Sequence, residues 1–457
     1  MIVAADRLRG GPGVAIEQGG DMGRTGEADL EAAADEVDGP EVVAKVAWRL
    51  MWFVMALYFV AILDRGNVSF AALQMNKALG LTSQMFGIAV GVMYFTYALG
   101  EVPSNLLLAR FGARLTLTRI AILWGLATIL MAFTQGPLSL YAFRALLGVA
   151  ESGLFPGVML FFSLWFPFAY RARFNAMFNY AVPISYVFAS LISGLILEMD
   201  GKLGIPGWKW LFLLEGIPPV LLGIAGIFYL TDVPRRASWL TKQEKDWLEK
   251  ELERDAQQRS AIHAESLLSV LRKPIVILLG LCNFGLFCGL ASLFSWLPQI
   301  IKGFGLPPSQ VGYITAIPSL AGLIGMIVLS RHSDRLQERF YYTAITMLIS
   351  AVGFATAAFA VTPAMVVLGF AIANIGVFGT QAVFWTIPQS YLSRDIAPAA
   401  IGLIGMIGSI GGATIPVVIG RIRDATGSLT GGFLIVSLIF LAAAGGVLCV
   451  RSVLTSR

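Results

Sequence analysis

Charge is scarce in this sequence. Charged residues make up 13% of the 457 positions and apolar ones 57%, whereas a soluble domain carries about 25% charged residues. A water-soluble fold of this size is excluded, because too little polar surface is available to cover so much apolar material. The mean hydropathy of +0.75 points the same way. Histidine is scarcer still. His263 and His332 fall in polar connecting stretches, which excludes a histidine proton relay or a haem site within an apolar segment. Cysteine offers no more: Cys282, Cys288 and Cys449 stand in apolar runs without ligand spacing, so neither a disulfide framework nor a metal site is expected. Without a nucleophile–base or metal constellation an enzyme is not expected, and no polar stretch is long enough for a sensor's output domain. An apolar leader is also missing. Residues 1–46 are rich in Gly, Ala, Asp and Glu and are expected to form a disordered cytoplasmic tail.

Long apolar runs are what the chain has instead. They predict an all-α membrane protein with twelve transmembrane helices, each needing roughly 20 residues. The spans fall near 48–74, 84–108, 116–134, 138–163, 173–197 and 210–230, then 274–301, 310–330, 341–361, 363–392, 397–420 and 430–450. The polar stretch 231–272, helical over its charged part, links an N-terminal six-helix half (47–230) to a C-terminal one (273–452), with 453–457 as a short cytoplasmic end. Basic residues gather at one set of span ends. Only Lys77, Lys202, Lys209, Lys302, Arg421 and Arg423 fall at the other set. That asymmetry places both termini in the cytoplasm, and it assigns the excess positive charge to membrane topology rather than to nucleic acid. The halves show a weak symmetry: Arg110-Phe-Gly112-Ala-Arg114 follows span 2, and Arg331-His-Ser-Asp334-Arg335 follows span 8.

Charges within the spans are costly, about 2.5–3.5 kcal/mol each on insertion scales, and mark function. Asp64, Arg65, Glu101, Arg144 and Glu151 lie there, all in the first half, while the second half offers neutral groups such as Asn283, Gln299, Asn374, Gln381, Trp385 and Gln389. Arg144 and Glu151 are two helical turns apart, about 10 Å, so each needs a partner elsewhere, with Asp64 and Arg65 the candidates. An arginine fork can hold a carboxylate through two parallel hydrogen bonds and does not titrate, which suits Arg144 and Arg65 to substrate binding. Trp385, Tyr97 and Gln381 are expected to join them. A carboxylate between an apolar cavity and an arginine can take up and release a proton, which suits Asp64, Glu151 and Glu101 to proton coupling. The alternative is an interhelical ion pair, Asp64–Arg144 or Arg65–Glu151, that merely holds the bundle together.

Beyond the tail, the sequence resembles the major facilitator superfamily, and within it the anion:cation symporters. The resemblance rests on Leu63-Asp64-Arg65-Gly66-Asn67, on Glu101, Pro103, Ser104 and Asn105, and on Phe143-Arg144 through Gly148 to Glu151 and Gly153. It rests further on Gly207-Trp208-Lys209-Trp210 through Glu215-Gly216, on Trp296, Pro298, Gln299 and Lys302, on Phe384-Trp385, and on Gly411-Gly412. What it implies is a monomeric carrier in the bacterial inner membrane, surrounded by lipid. Such a carrier would move a small organic anion with protons, powered by the proton gradient and without a cofactor. Permeases for tartrate, phthalate and 4-hydroxyphenylacetate are the nearest in kind; an organic-anion or organophosphate exchanger or exporter is the alternative. The resemblance assigns gating to Arg110, Arg114, Asp334 and Arg335. Two departures matter. Ala109 stands where the family has an acid before Arg110, so only the ion pair involving Asp334 is expected intact. Gly405 and Val182 stand where galactonate permeases use an asparagine and a glutamine, which favours a flatter, more apolar carboxylate.

Overall fold

A computed structural model describes residues 37–260, 273–391 and 397–455, so most of the expected tail lies outside the described residues. No strand occurs among them. Six spans form the first half: α1 (Gly39–Ala78), α2 (Ser83–Phe111), α3 (Ala113–Met131), a broken span of α4 (Pro137–Glu151) and α5 (Leu154–Trp165), α6 (Phe168–Leu197) and α7 (Gly207–Tyr229). The charged helix α8 (Lys242–Ser260) follows. The second half comprises α9 (Pro274–Lys302), α10 (Pro308–Leu336), α11 (Phe340–Ala358), a second broken span of α12 (Pro363–Phe384) and α13 (Thr386–Tyr391), α14 (Ala397–Thr426) and α15 (Thr430–Thr455). Eleven of the twelve spans are recognisable as membrane-crossing by length and hydropathy; α2, 29 residues long, is the twelfth.

Local chemistry sets the ends. Proline opens α4, α9, α10 and α12, where its missing N–H costs nothing. Thr82 and Thr362 cap α2 and α12 by accepting from the backbone N–H of Met85 and Met365. Three expectations are corrected here. Helix α1 begins at Gly39, eight residues before position 47. His332, Asp334 and Arg335 belong to the last turns of α10 rather than to a loop, because the turn is made further on, where Gln337 adopts a φ of 53°. Arg421 and Arg423 likewise sit in the last turns of α14.

The two halves meet at the end of the bundle opposite the termini. There α2 packs on α14 and α6 on α10 through glycine. A methyl group on Gly91 would lie 2.2 Å from the Ala413 carbonyl, and one on Gly312 would lie 2.4 Å from that of Ser190. Small residues allow such approach, which membrane helices use because lipid supplies little hydrophobic drive. Two carboxylates reinforce this seam. Asp424 of α14 accepts from the backbone N–H of Ser83 (2.9 Å) and Gln84 (2.8 Å) at the start of α2. Glu198, just past α6, accepts from Ser309 N–H (3.1 Å) at the start of α10. Between the halves, beyond this seam, lies the cavity.

Candidate transport site

Both halves wall a cavity of about 630 Å³, within the size range of small-molecule sites. Arg65, Tyr97 and Glu101 line it from the first half, and Gln381, Trp385 and Gln389 from the second. Tyr58, Tyr94 and Tyr186 add hydroxyls, and Phe155, Met159, Phe287 and Phe294 add apolar surface. Val182 and Gly405 also face it, and a side chain built on Gly405 would meet open space. Of the residues expected to bind substrate, Arg65, Tyr97, Gln381 and Trp385 line the cavity and Arg144 does not; of those expected to couple protons, Glu101 lines it. Sequence reasoning missed Tyr58 and Tyr186, whose one signal is a phenol in an otherwise apolar run.

The broken spans meet this cavity in matching positions. Helix α4 ends at Glu151, the chain turns through Ser152 and Gly153 (φ +83°), and α5 resumes at Leu154. A side chain at position 153 would strike Ser104, so glycine is needed both for the angle and for the space. In the second half α12 ends immediately before Trp385. Paired interruptions in corresponding helices are the usual address of a transporter's binding site.

Behind the wall sits the charge cluster. Arg65 donates to Glu151 Oε1 from Nε (2.7 Å) and from Nη2 (2.6 Å), and its guanidinium lies 5.0 Å from the centre of the Tyr97 ring. Glu151 is fully buried, and its Oε2 has no hydrogen-bond partner. Glu151 closes α4, where the helix dipole presents its negative end; the Arg65 charge offsets both that field and the burial. Of the two alternative pairings, then, Arg65–Glu151 is the one formed. Asp64, 1% exposed, points the other way and is held by neutral donors: Trp124 Nε1 (2.7 Å), Thr128 Oγ1 (2.7 Å) and Asn67 Nδ2 (2.5 Å). Trp124 and Thr128 share a face of α3 at i, i+4 spacing, a signal easily passed over in an apolar helix.

Arg144 departs from expectation. It is 1% exposed and absent from the lining, with Nε donating to the Ala89 carbonyl (3.2 Å) and Nη1 unpartnered. The cause is Gly148, one turn on, where a side chain would lie 2.4 Å from the Met93 carbonyl: α2 closes over α4 and shuts Arg144 off from the cavity. A sixth buried charge was also missed. Glu215 of α7, 3% exposed, accepts from Ser193 Oγ (2.8 Å), and its Oε2 is unpartnered.

The four gating candidates are not brought together. Asp334 pairs with Arg339 of its own half (2.5 Å), Arg335 is exposed, and Arg110 lies over the Phe111 ring at 5.3 Å. The backbone N–H of Arg114 donates to Asp232 Oδ1 (2.9 Å), and its guanidinium to the Ile227 carbonyl. Asp232 thus brings a carboxylate to the turn where Ala109 supplies none.

Residues 54–416 match the model of the Major Facilitator Superfamily. The chain belongs to that superfamily. Its members are membrane transporters and not enzymes, in keeping with a helical bundle split around a central cavity. A protein of Agrobacterium vitis named for tartrate transport is 43% identical over 416 residues, 91% of each chain. A quinolone resistance transporter of Acinetobacter baumannii is 36% identical over 402 residues, 88% of this chain and 93% of its own. Among solved structures, a bacterial homologue of the human lysosomal transporter Spinster, inward-facing and occupied, superposes with a TM-score of 0.72. Its identity is 15%, over 88% of this chain and 96% of that one. As a superfamily member, the chain shares that neighbour's fold.

Proposed function

We propose that this transporter couples proton entry to the uptake of a small, flat organic carboxylate across the bacterial plasma membrane, by alternating access. The observation that carries the proposal is the Arg65–Glu151 pair, set at a cavity wall that Arg65 reaches and Glu151 does not. An arriving carboxylate competes with Glu151 for the guanidinium fork. Losing Arg65 leaves Glu151 as a bare carboxylate in an apolar wall, which a proton neutralises. Substrate binding and protonation thereby assist each other, and the titration belongs to the group as a whole. Asp64 and Glu101 are further proton sites in this reading, and Tyr97, Gln381 and Trp385 contact the substrate. The termini and α8 face the cytoplasm, so the cavity opens inward. At positions 182 and 405 the wall offers a substrate hydroxyl no side-chain partner, and the Agrobacterium relative named for tartrate transport supports a carboxylate.

The test is uptake by reconstituted vesicles under an imposed pH gradient, across a panel of carboxylates. Accumulation that a protonophore abolishes is expected; accumulation driven by sodium alone would sink the proton reading. The quinolone resistance relative, together with the cavity's apolar surface, favours a second reading, an exporter or exchanger of amphipathic anions. Counterflow that persists unchanged when the pH gradient is reversed would favour it.

A further inference from the structure

Glu215 lies outside the cavity and outside the Arg65–Glu151 pair, and it is buried far more deeply than Arg65. Three elements pack around it. From α6 comes Ser193, from α3 the backbone at Gly125 and Ile129 against Gly216, and from α1 Asp64 and Asn67, Asp64 being held by the neutral Trp124 and Thr128 of α3. Asp64 acts on Glu215 through its charge, and the Asn67 side chain, held at Asp64 by its Nδ2, lies within hydrogen-bonding reach of the Glu215 carboxyl. No cation faces it among the described residues. Arg144 and Glu151, on α4, act on Asp64 through their charge without pairing with it.

Two acceptors in this corner lack a donor, Glu215 Oε2 and Asn67 Oδ1. A buried acceptor without a donor costs about 1–3 kcal/mol, more when charged, and a bare carboxylate beside another in an apolar bundle costs more still. One proton removes all three costs. We propose that Glu215 is a carboxylic acid throughout the transport cycle, its Oε2–H donating to Asn67 Oδ1 and so aiming Asn67 Nδ2 at Asp64. Glu215 is then a positioning residue: it orders Asn67, and Asn67 sets how readily Asp64 takes a proton. This last step rests on the proton reading of Asp64; the protonated state of Glu215 does not.

Glu215→Gln supplies an N–H in place of the O–H and should transport like the wild type. Glu215→Ala removes the donor, frees Asn67 and should shift the pH for half-maximal substrate exchange. The infrared difference spectrum between wild-type protein and Glu215→Gln, recorded on purified carrier, should show the carbonyl stretch of a protonated carboxylic acid, unchanged across neutral pH. A carboxylate band at that position instead would overturn the proposal. So would a Glu215→Ala protein that is merely less stable, with an unmoved pH profile, or a Glu215→Gln protein as impaired as Glu215→Ala. If Glu215→Ala does not fold, the infrared result decides alone. Sodium-driven uptake by the wild type with the acid band present would remove the function of Asp64 while leaving the state of Glu215 standing.

Discussion

The two intramembrane arginines are chemically alike and differ in where their nitrogens point. Arg65 spends its fork on Glu151 and faces the cavity; Arg144 is sealed behind α2. Arg65→Lys keeps the charge but loses one of the two parallel hydrogen bonds that the fork would give a substrate carboxylate, each worth about 1.5–3 kcal/mol to a charged group. Substrate affinity, measured by binding to purified protein, should fall by about ten- to a hundredfold, whereas Arg144→Lys should leave it within about threefold. The reverse ranking would return Arg144 to the binding site. The acids should fail differently. Asp64→Asn and Glu151→Gln mimic the protonated form, so concentrative uptake should be lost while counterflow survives. Full proton-driven accumulation in both variants would move the proton sites to Glu101. At this scale much was legible: charges in apolar runs announce themselves. Not legible was which arginine met which acid, since that depends on how closely Gly148 lets α2 approach, nor that Glu215 lies buried in the bundle.

Helices as units were easier to read, because an apolar run long enough to cross a bilayer has few other fates. The interruptions at Ser152-Gly153 and at Trp385 were invisible, being short and embedded in apolar sequence that reads as continuous helix. The carboxylate caps were hidden too, as each joins a helix end to another far away in the chain. Glu198 at the start of α10 is held by the Ser309 N–H, which keeps its carboxyl below the ordinary range. A depressed value means that the cap supports the closed seam fully above the ordinary carboxylate range and loses that support as pH falls through the lowered value. Spin labels on the adjoining ends of α6 and α10 should therefore move apart in acid, and Glu198→Gln should abolish the pH response. A distance indifferent to pH in the wild type would remove the cap from the seam. The packing beneath it is testable in the same way. Gly312→Ala forces a methyl group against the Ser190 carbonyl and should favour the arrangement open at this end, with slower exchange but normal insertion.

Over the whole molecule, the halves share an architecture and divide the labour. Glycine seams and caps are mirrored between them, whereas the charges set within the first half's spans are not: Asp64, Arg65, Glu101, Arg144, Glu151 and Glu215 all belong to one half. That lopsidedness has an electrical meaning. With Glu215 and Glu101 both protonated, two positive and two negative groups cancel, so the unloaded protein carries no net charge within these spans as it rocks. Each elementary charge crossing the membrane would feel about 2.3 kcal/mol per 100 mV; a cancelled set feels none. The empty carrier should return at a rate indifferent to membrane voltage and give no transient current on a voltage step without substrate. Voltage would then act through the cargo alone, in proportion to the difference between the protons and the negative charges it brings.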